Sequence, residues 1–375
     1  MSRMLAKCAG LTMAGLLASA QTQPALKDAF KDAFRIGVAL NPAQFSGEDA
    51  GGGALAKAQF NSITPENVLK WERVHPTPGG YNFQPADSYV AFGEQNHMFI
   101  VGHTLVWHNQ TPQWVFQDEQ GQPLGREALL ERMHDHIRTV VGRYKGRING
   151  WDVVNEALDD NGALRRTPWM RIIGEDYIAQ AFAFAHEADP QAELYYNDYS
   201  LENEAKLQGA VALIAKLKAQ GVPVAGVGVQ GHYHMDSPSP GQVDRAIARL
   251  AKLGVKVMIT ELDIDLLPSA WQDRGADITL NVKLQAKLNP YANGLPEGVQ
   301  QALAKRYAEL FGVFLKHRES ISRVTFWGLK DGDSWLNNWP VKGRTSYPLL
   351  FDRSGQPKPA FDAVIRVARG QAGGS

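Results

Sequence analysis

The 375-residue chain carries 39 basic and 39 acidic side chains, and 44% hydrophobic against 21% charged residues, the composition of an ordinary soluble protein with a large core. Zero formal charge gives no support for a nucleic-acid partner or an anionic membrane surface, where a basic face is expected, and it suits an uncharged or weakly charged substrate. The single cysteine, Cys8, excludes an internal disulfide and a thiolate metal site.

The first twenty residues read as a secretory leader. Arg3 and Lys7 precede an apolar run from Ala9 to Ala18, too short for a bilayer span, and Ala18-Ser19-Ala20 has the small residues of a cleavage site. Lys7 directly before Cys8 argues against a lipid anchor. The expected mature protein is secreted, extracellular or periplasmic, with no membrane association after removal of residues 1–20.

From residue 34 onward, strands and helices alternate. Phe34 to Leu40 is a strand, Ala54 to Phe60 a short helix, and Ser62 to Glu66 a strand with a polar end. A helix from Asp87 to Asn96 and a strand from Met98 to Trp107 follow. Arg126 to Val141 is an amphipathic helix, with Leu129, Leu130, Met133, Ile137, Val140 and Val141 on one face. The strand Ile148 to Val154 ends on Asn155 and Glu156, and a helix spans Met170 to Ala188. Then come the strand Ala192 to Asn197, the helix Glu202 to Gln220, the strand Val224 to Val229 and the helix Gln242 to Leu253. The strand from Val255 ends on a glutamate, Glu261. After a long connection, Leu266 to Gly298, the chain closes with the helix Val299 to His317, the strand Val324 to Trp327 and the helix Pro359 to Val367.

Eight strands alternating with eight helical segments predict an α/β protein, a (β/α)8 barrel, as a single catalytic domain over residues 21–370, with 371–375 a frayed tail. An open doubly wound sheet would present a Gly-rich turn after its first strand, and Leu40-Asn41-Pro42-Ala43 is not one. Glycines 51–53 lack the lysine and hydroxyl of a phosphate loop.

In such a barrel the C-terminal ends of the strands build one site. Here those ends supply Glu66, Asn67, Lys70, His103, Trp107, His108, Asn155, Glu156, Tyr199, Gln230, His232, Glu261, Trp327 and Trp335. Each alone has a plainer reading: a strand-end glutamate as a salt-bridge partner, a loop tryptophan as packing. Together they form the set that carbohydrate chemistry uses, with indole faces for sugar rings, polar groups for hydroxyls, and a pair of carboxylates. His103 and His108 fall on opposite faces of a regular strand, which argues against a shared metal. His232 and His234 share a face and stay as metal candidates, while Asp331-Gly332-Asp333 resembles a calcium loop without the remaining ligand spacing. The expectation is no metal and no cofactor. Asn109-Gln110-Thr111 is a glycosylation sequon, relevant only in a host that glycosylates secreted chains.

Glycosidic cleavage needs a proton donor for the leaving oxygen and either a nucleophile or an activated water. An ionised Glu261 would disfavour a second charge on Glu156, keeping it a proton donor, and would lose that influence once a glycosyl-enzyme forms. A retaining reaction then requires the two carboxyls roughly 5–5.5 Å apart.

At this point the motifs resemble a family. Gly102-His103-Thr104-Leu105-Val106-Trp107-His108, Trp151-Asp152-Val153-Val154-Asn155-Glu156, Tyr196-Asn197-Asp198-Tyr199, Gly228-Val229-Gln230-Gly231-His232, Ile259-Thr260-Glu261-Leu262-Asp263 and Phe326-Trp327-Gly328 are similar to those of family-10 glycoside hydrolases, the endo-β-1,4-xylanases. The resemblance runs from about Phe34 to Val367. It implies Glu156 as acid/base, Glu261 as nucleophile, and His232 bonded to the nucleophile with support from Asp263. It places Lys70, His103, Trp107, Asn155, Gln230, Trp327 and Trp335 around the sugar at the cleavage point. Glu66 and Asn67 would bind the next sugar on the non-reducing side, and Tyr199 would stack on the leaving side. The implied partners are xylan and xylo-oligosaccharides, with the monomer as the default state. Departures are Tyr233-His234, after the strand-six motif, and the long 266–298 loop; the loop bears on product-side subsites and tolerance of side chains. A β-1,4-glucanase and a non-catalytic glycan-binding barrel are the alternatives; the second usually lacks one carboxylate, and this chain keeps both.

Overall fold

The computed structural model describes residues 24–269 and 283–371. The leader expected over residues 1–20, with Cys8, residues 270–282 of the long connection and residues 372–375 of the tail lie outside the described residues.

The apolar runs form strands β1 (Arg35–Leu40), β2 (Ser62–Pro65), β3 (Phe99–Val106), β4 (Gly150–Asn155), β5 (Glu193–Asp198), β6 (Gly226–Val229), β7 (His232–His234), β8 (Lys256–Asp265) and β9 (Ile321–Phe326). Pairing is parallel throughout, in sequence order from β1 to β6. Strand β6 pairs with β8, β8 with β9, and β9 with β1, so eight strands close into a barrel. This is the (β/α)8 architecture that the alternation predicts. Strands buried on both faces read as near-continuous apolar sequence, because helices cover the outside and side chains fill the inside; β4 and β6 are buried at every position.

The outer helices bury single stripes. Arg126–Arg143 turns Leu129, Met133, Ile137, Val140 and Val141 inward. Pro240–Ala251 starts on a capping box, Ser239 with Gln242, and has Pro240 in its first turn. The segment expected as one helix from Met170 to Ala188 is instead two, Pro168–Ile172 and Tyr177–Ala188. Gly174 takes φ 102° between them, a left-handed conformation that ends the first helix.

Two features of the barrel rim were not foreseen. Strand β8 does not stop at Glu261 but continues to Asp265, because the short β7 pairs with it, His232 beside Asp263 and His234 beside Asp265. The ladders also slip near the site, between His103 and Val106 on β3, around Val153 on β4, and between Ile259 and Leu262 on β8. An extra residue in one strand bends it and re-aims the side chains beside it. Close packing sets one glycine here: a Cβ at Gly102 would lie 2.1 Å from the buried Trp151 ring.

Candidate active site

The strand ends converge on one open cleft of about 350 Å³. Glu66, Asn67, Lys70, His103, Trp107, Asn155, Glu156, Tyr199, Gln230, His232, Glu261, Asp263, Trp327 and Trp335 all line it. His108 does not; it lies to one side, with Nε2 3.2 Å from the Asn109 amide.

Glu156 follows directly after β4 and takes φ 58°, a backbone region rare for a residue with a side chain. Its main chain is held at both ends: the amide donates to Asn197 O at 2.9 Å, and the carbonyl accepts from Arg165 Nε at 3.1 Å. The carboxyl, buried, receives the Trp107 indole N–H on Oε2 and the Gln230 amide on Oε1, both at 2.9 Å. Its donors are therefore neutral.

Glu261 meets a different environment. Asn197 Nδ2 donates to Oε1 at 2.8 Å, and His232 Nε2 lies 3.1 Å from Oε2. His232 Nδ1 is 3.0 Å from Asp263 Oδ1, and Asp263 Oδ2 accepts the Trp335 indole N–H at 2.7 Å. Alternation along β8 sets Glu261 and Asp263 on one face, two residues apart, and β7 brings His232 between them. Burial works against a charged imidazole, but the charges and hydrogen bonds of Asp263 and Glu261 outweigh it and raise His232 to about 10. Burial likewise opposes charge on Glu261, yet the His232 hydrogen bond, the neighbouring histidines and the Asn197 amide hold its carboxyl below the usual range.

Amides join the two carboxylates. Asn155 Oδ1 accepts from Asn197 Nδ2 at 2.9 Å and from Gln230 Nε2 at 3.5 Å, so its NH2 remains as donor for a ligand. Thr260 Oγ1 donates to Asn197 Oδ1 at 2.6 Å. Asn197 thus carries both chains of hydrogen bonds, and its role was not read from the sequence beyond its place in a motif. Gly228 leaves room for it: a Cβ there would lie 2.2 Å from Asn197 Oδ1.

Toward Glu66, Lys70 Nζ donates to Asn67 Oδ1 at 3.1 Å and to Gln110 Oε1 at 2.8 Å. Burial lowers the Lys70 pKa, against the opposing charges of Glu261, Glu66 and Glu156. Burial raises Glu66 to about 7, with Lys70 opposing and Asp333 adding to the effect. Overhead, Trp335 stacks on Trp339 at 4.6 Å, and Trp327 meets His103 edge-on at 5.4 Å. His103 is itself anchored by Asp152 at 2.9 Å. Lys358 donates to both oxygens of buried Asp331, so this aspartate of the Asp-Gly-Asp segment is committed to an ion pair. No group of three or more metal-ligating side chains occurs among the described residues, and no described helix is long and apolar enough to cross a membrane.

Gln110, Arg165, Asn197 and Arg344 are site components that the sequence reading did not single out. Arg165 and Arg344 sit in loops with no periodic signal around them; Gln110 and Asn197 lay inside segments already noted for other reasons.

Two carboxylates in one cleft, one held by neutral donors and the other by an imidazolium, are an arrangement that can divide acid and nucleophile roles in glycosidic chemistry. Residues 25–367 match the model of glycosyl hydrolase family 10. The chain is 44% identical over 360 residues to endo-1,4-beta-xylanase A of Xylanibacter ruminicola, covering 96% of this chain and 98% of that protein. It is also 44% identical to the beta-1,4-xylanase of Dictyoglomus thermophilum, over 92% of this chain and 91% of that one. A solved endoxylanase of the same family, retrieved from a sugarcane soil metagenome, superposes with a TM-score of 0.88 at 47% identity, over 92% of this chain and all of that one. By sequence, fold and cleft together, the chain belongs to glycosyl hydrolase family 10.

Proposed function

We propose that this protein is an endo-1,4-β-xylanase that cleaves internal β-1,4-xylosidic bonds with retention of configuration, with Glu156 as acid/base and Glu261 as nucleophile. The observation that carries this reading is the contrast between the two carboxyls, with Glu261 held as an anion by His232 and Asn197 and Glu156 held by Trp107 and Gln230. The printed names of the relatives supply the substrate class.

In the first step Glu156 gives its proton to the glycosidic oxygen as the bond from that oxygen to the anomeric carbon breaks. Glu261 forms a bond to the same carbon, and the shortened chain departs past Tyr199. In the second step the Glu156 carboxylate takes a proton from water, whose oxygen bonds to the anomeric carbon as the ester to Glu261 breaks. Both carboxyls end as they began. The Asn155 NH2 is the donor for the sugar 2-hydroxyl, a contact that strengthens in the transition state. Trp335 is fixed by Asp263 and Trp339, and closed over the cleavage point it would crowd the hydroxymethyl group that glucose adds. Glu66 and Asn67 hold the next sugar on the non-reducing side, and Lys70, bonded to Asn67, reaches the sugar at the cleavage point.

Glu261→Gln should lower the rate of xylan hydrolysis by orders of magnitude; retention of most activity would refute the assignment. Rates on an aryl xylobioside and an aryl cellobioside separate xylanase from glucanase, and xylan binding without release of reducing ends would favour a non-catalytic barrel. The leader-like first twenty residues support export, which N-terminal sequencing of protein recovered from medium or periplasm tests.

A further inference from the structure

The segment after Glu156 folds back on itself. The Arg165 amide donates to Ala157 O at 2.7 Å, and Leu158 and Leu164 form an antiparallel bridge. The Arg165 side chain, 17% exposed, closes this fold with every nitrogen of its guanidinium. Nε donates to the carbonyl of Glu156 at 3.1 Å, and Nη2 donates to Leu158 O at 2.6 Å and to the Tyr199 hydroxyl at 2.9 Å. Nη1 pairs with Asp159 at 2.9 Å. A second cation lies over the Tyr199 ring: Lys206 Nζ is 3.1 Å from its centroid and 2.9 Å from Asp198 Oδ1, which also accepts the Tyr199 amide at 2.9 Å. One planar group therefore touches both the main chain of Glu156 and the tip of Tyr199.

Glu156 needs such restraint. A residue with a side chain at positive φ persists only where its surroundings over-determine it, and Arg165 supplies half of the main-chain grip. A guanidinium is a rigid fork, so a displacement at one prong reaches the others, whereas a flexible ammonium would absorb it. We propose that Arg165 is a positioning residue for proton transfer: it couples the leaving-side platform Tyr199 to the backbone of Glu156, so that a sugar seated on Tyr199 fixes the acid against the glycosidic oxygen. The inference rests on the reading of Glu156 and Tyr199 given above.

The test exploits the leaving group. Xylotetraose releases a sugar alkoxide that must be protonated and that sits on Tyr199; 2,4-dinitrophenyl β-xylobioside releases a stable phenolate that needs no proton. General acid catalysis contributes about 10²–10⁴-fold, so Arg165→Met should lower kcat/KM on xylotetraose by about 10²-fold and on the aryl substrate by less than about tenfold. Arg165→Lys, which keeps the charge and loses the fork, should fall the same way. Tyr199→Phe removes only the hydroxyl that Arg165 meets; it should show a smaller selective loss, and the double variant should be no worse than Arg165→Met alone. Rates are expressed per active site by burst titration with the aryl substrate, so that a misfolded fraction does not count. Parallel losses on both substrates, no loss on xylotetraose, or full additivity of the double variant overturns the coupling. Glu156→Ala and Tyr199→Ala test the underlying reading: if they too fail to discriminate the substrates, the acid and leaving-side assignments fall, and the coupling with them. If they discriminate and the Arg165 variants do not, the coupling alone is wrong.

Discussion

Gly228→Ala is a perturbation whose size follows from the coordinates. The added methyl would lie 2.2 Å from Asn197 Oδ1, 2.8 Å from Thr260 Cγ2 and 3.1 Å from Asn197 Cγ. These neighbours belong to short buried side chains, so none can swing away. Relieving the closest contact moves the Asn197 amide by about 1 Å, as overpacked cores shift their side chains and backbone. That is enough to take the 2.8 Å bond from Asn197 to Glu261 and the 2.6 Å bond from Thr260 out of range. Overpacking costs about 1–3 kcal/mol, and a hydrogen bond to a charged group is worth about 1.5–3 kcal/mol. With an unfolding entropy of about 2.1 cal/mol/K per residue, a loss on the order of 3 kcal/mol should lower the thermal midpoint by about 4 °C in a domain of this size. A misplacement of about 1 Å near the reacting carbon should also cost about 10²-fold in kcat/KM on an aryl xylobioside. Gly142→Ala is the control: it lies on the exposed face of the helix Arg126–Arg143, with nothing within 4 Å of the new methyl. It should be stabilising by up to about 1 kcal/mol. Calorimetry and kinetics on both variants decide the matter; a Gly228→Ala protein with an unchanged midpoint and rate refutes the packing argument.

Three further outcomes follow from the site and its surroundings. His232→Asn removes the imidazolium that holds Glu261 ionised, so burial prevails, Glu261 takes up its proton at higher pH, and the acid limb of the kcat/KM profile on dinitrophenyl xylobioside moves upward; an unmoved limb contradicts it. Glu66, raised to about 7, is protonated below that pH and charged above it, so the KM for xylo-oligosaccharides should change across neutrality in the parent enzyme and stay flat in Glu66→Gln. Buried His75 and His136, 3.2 Å apart through Nδ1, are both held below the ordinary 6.5 by burial. Their neutral forms favour the folded state, so this stability is complete above 6.5 and is lost as pH falls toward the depressed folded values. Urea midpoints measured from pH 7.5 downward should decline, and His136→Phe, which keeps a ring against Trp71, should flatten the decline; equal slopes refute this.

The barrel and its two carboxylates were legible because they rest on local chemistry. A buried apolar strand that stops on Asn155-Glu156 announces itself, and so does the β-branched run leading to Glu261. The course of β8 beyond Glu261 was not legible, since it depends on pairing with β7, whose three residues follow β6 after a two-residue break. The division of labour was also hidden. Trp107 and Gln230, expected around the sugar, donate to Glu156, while Asn197 serves both Asn155 and Glu261. Such roles depend on which of several polar groups a bulged strand turns inward, and sequence spacing does not encode that. Arg165 shows the same limit: a loop arginine looks like solvated charge until the fold puts the Glu156 carbonyl and the Tyr199 hydroxyl against it. The helix break at Gly174 was missed because the apolar pattern continues across it.

As the proposed nucleophile, Glu261 must become covalently bonded to the sugar. Incubation with 2,4-dinitrophenyl 2-deoxy-2-fluoro-β-xylobioside, followed by mass spectrometry of the intact protein and its peptides, tests it directly. One fluoroxylobiosyl group per protein on the peptide containing Glu261 is the predicted result. A protein that turns the reagent over without labelling, or a label on any other residue, contradicts it.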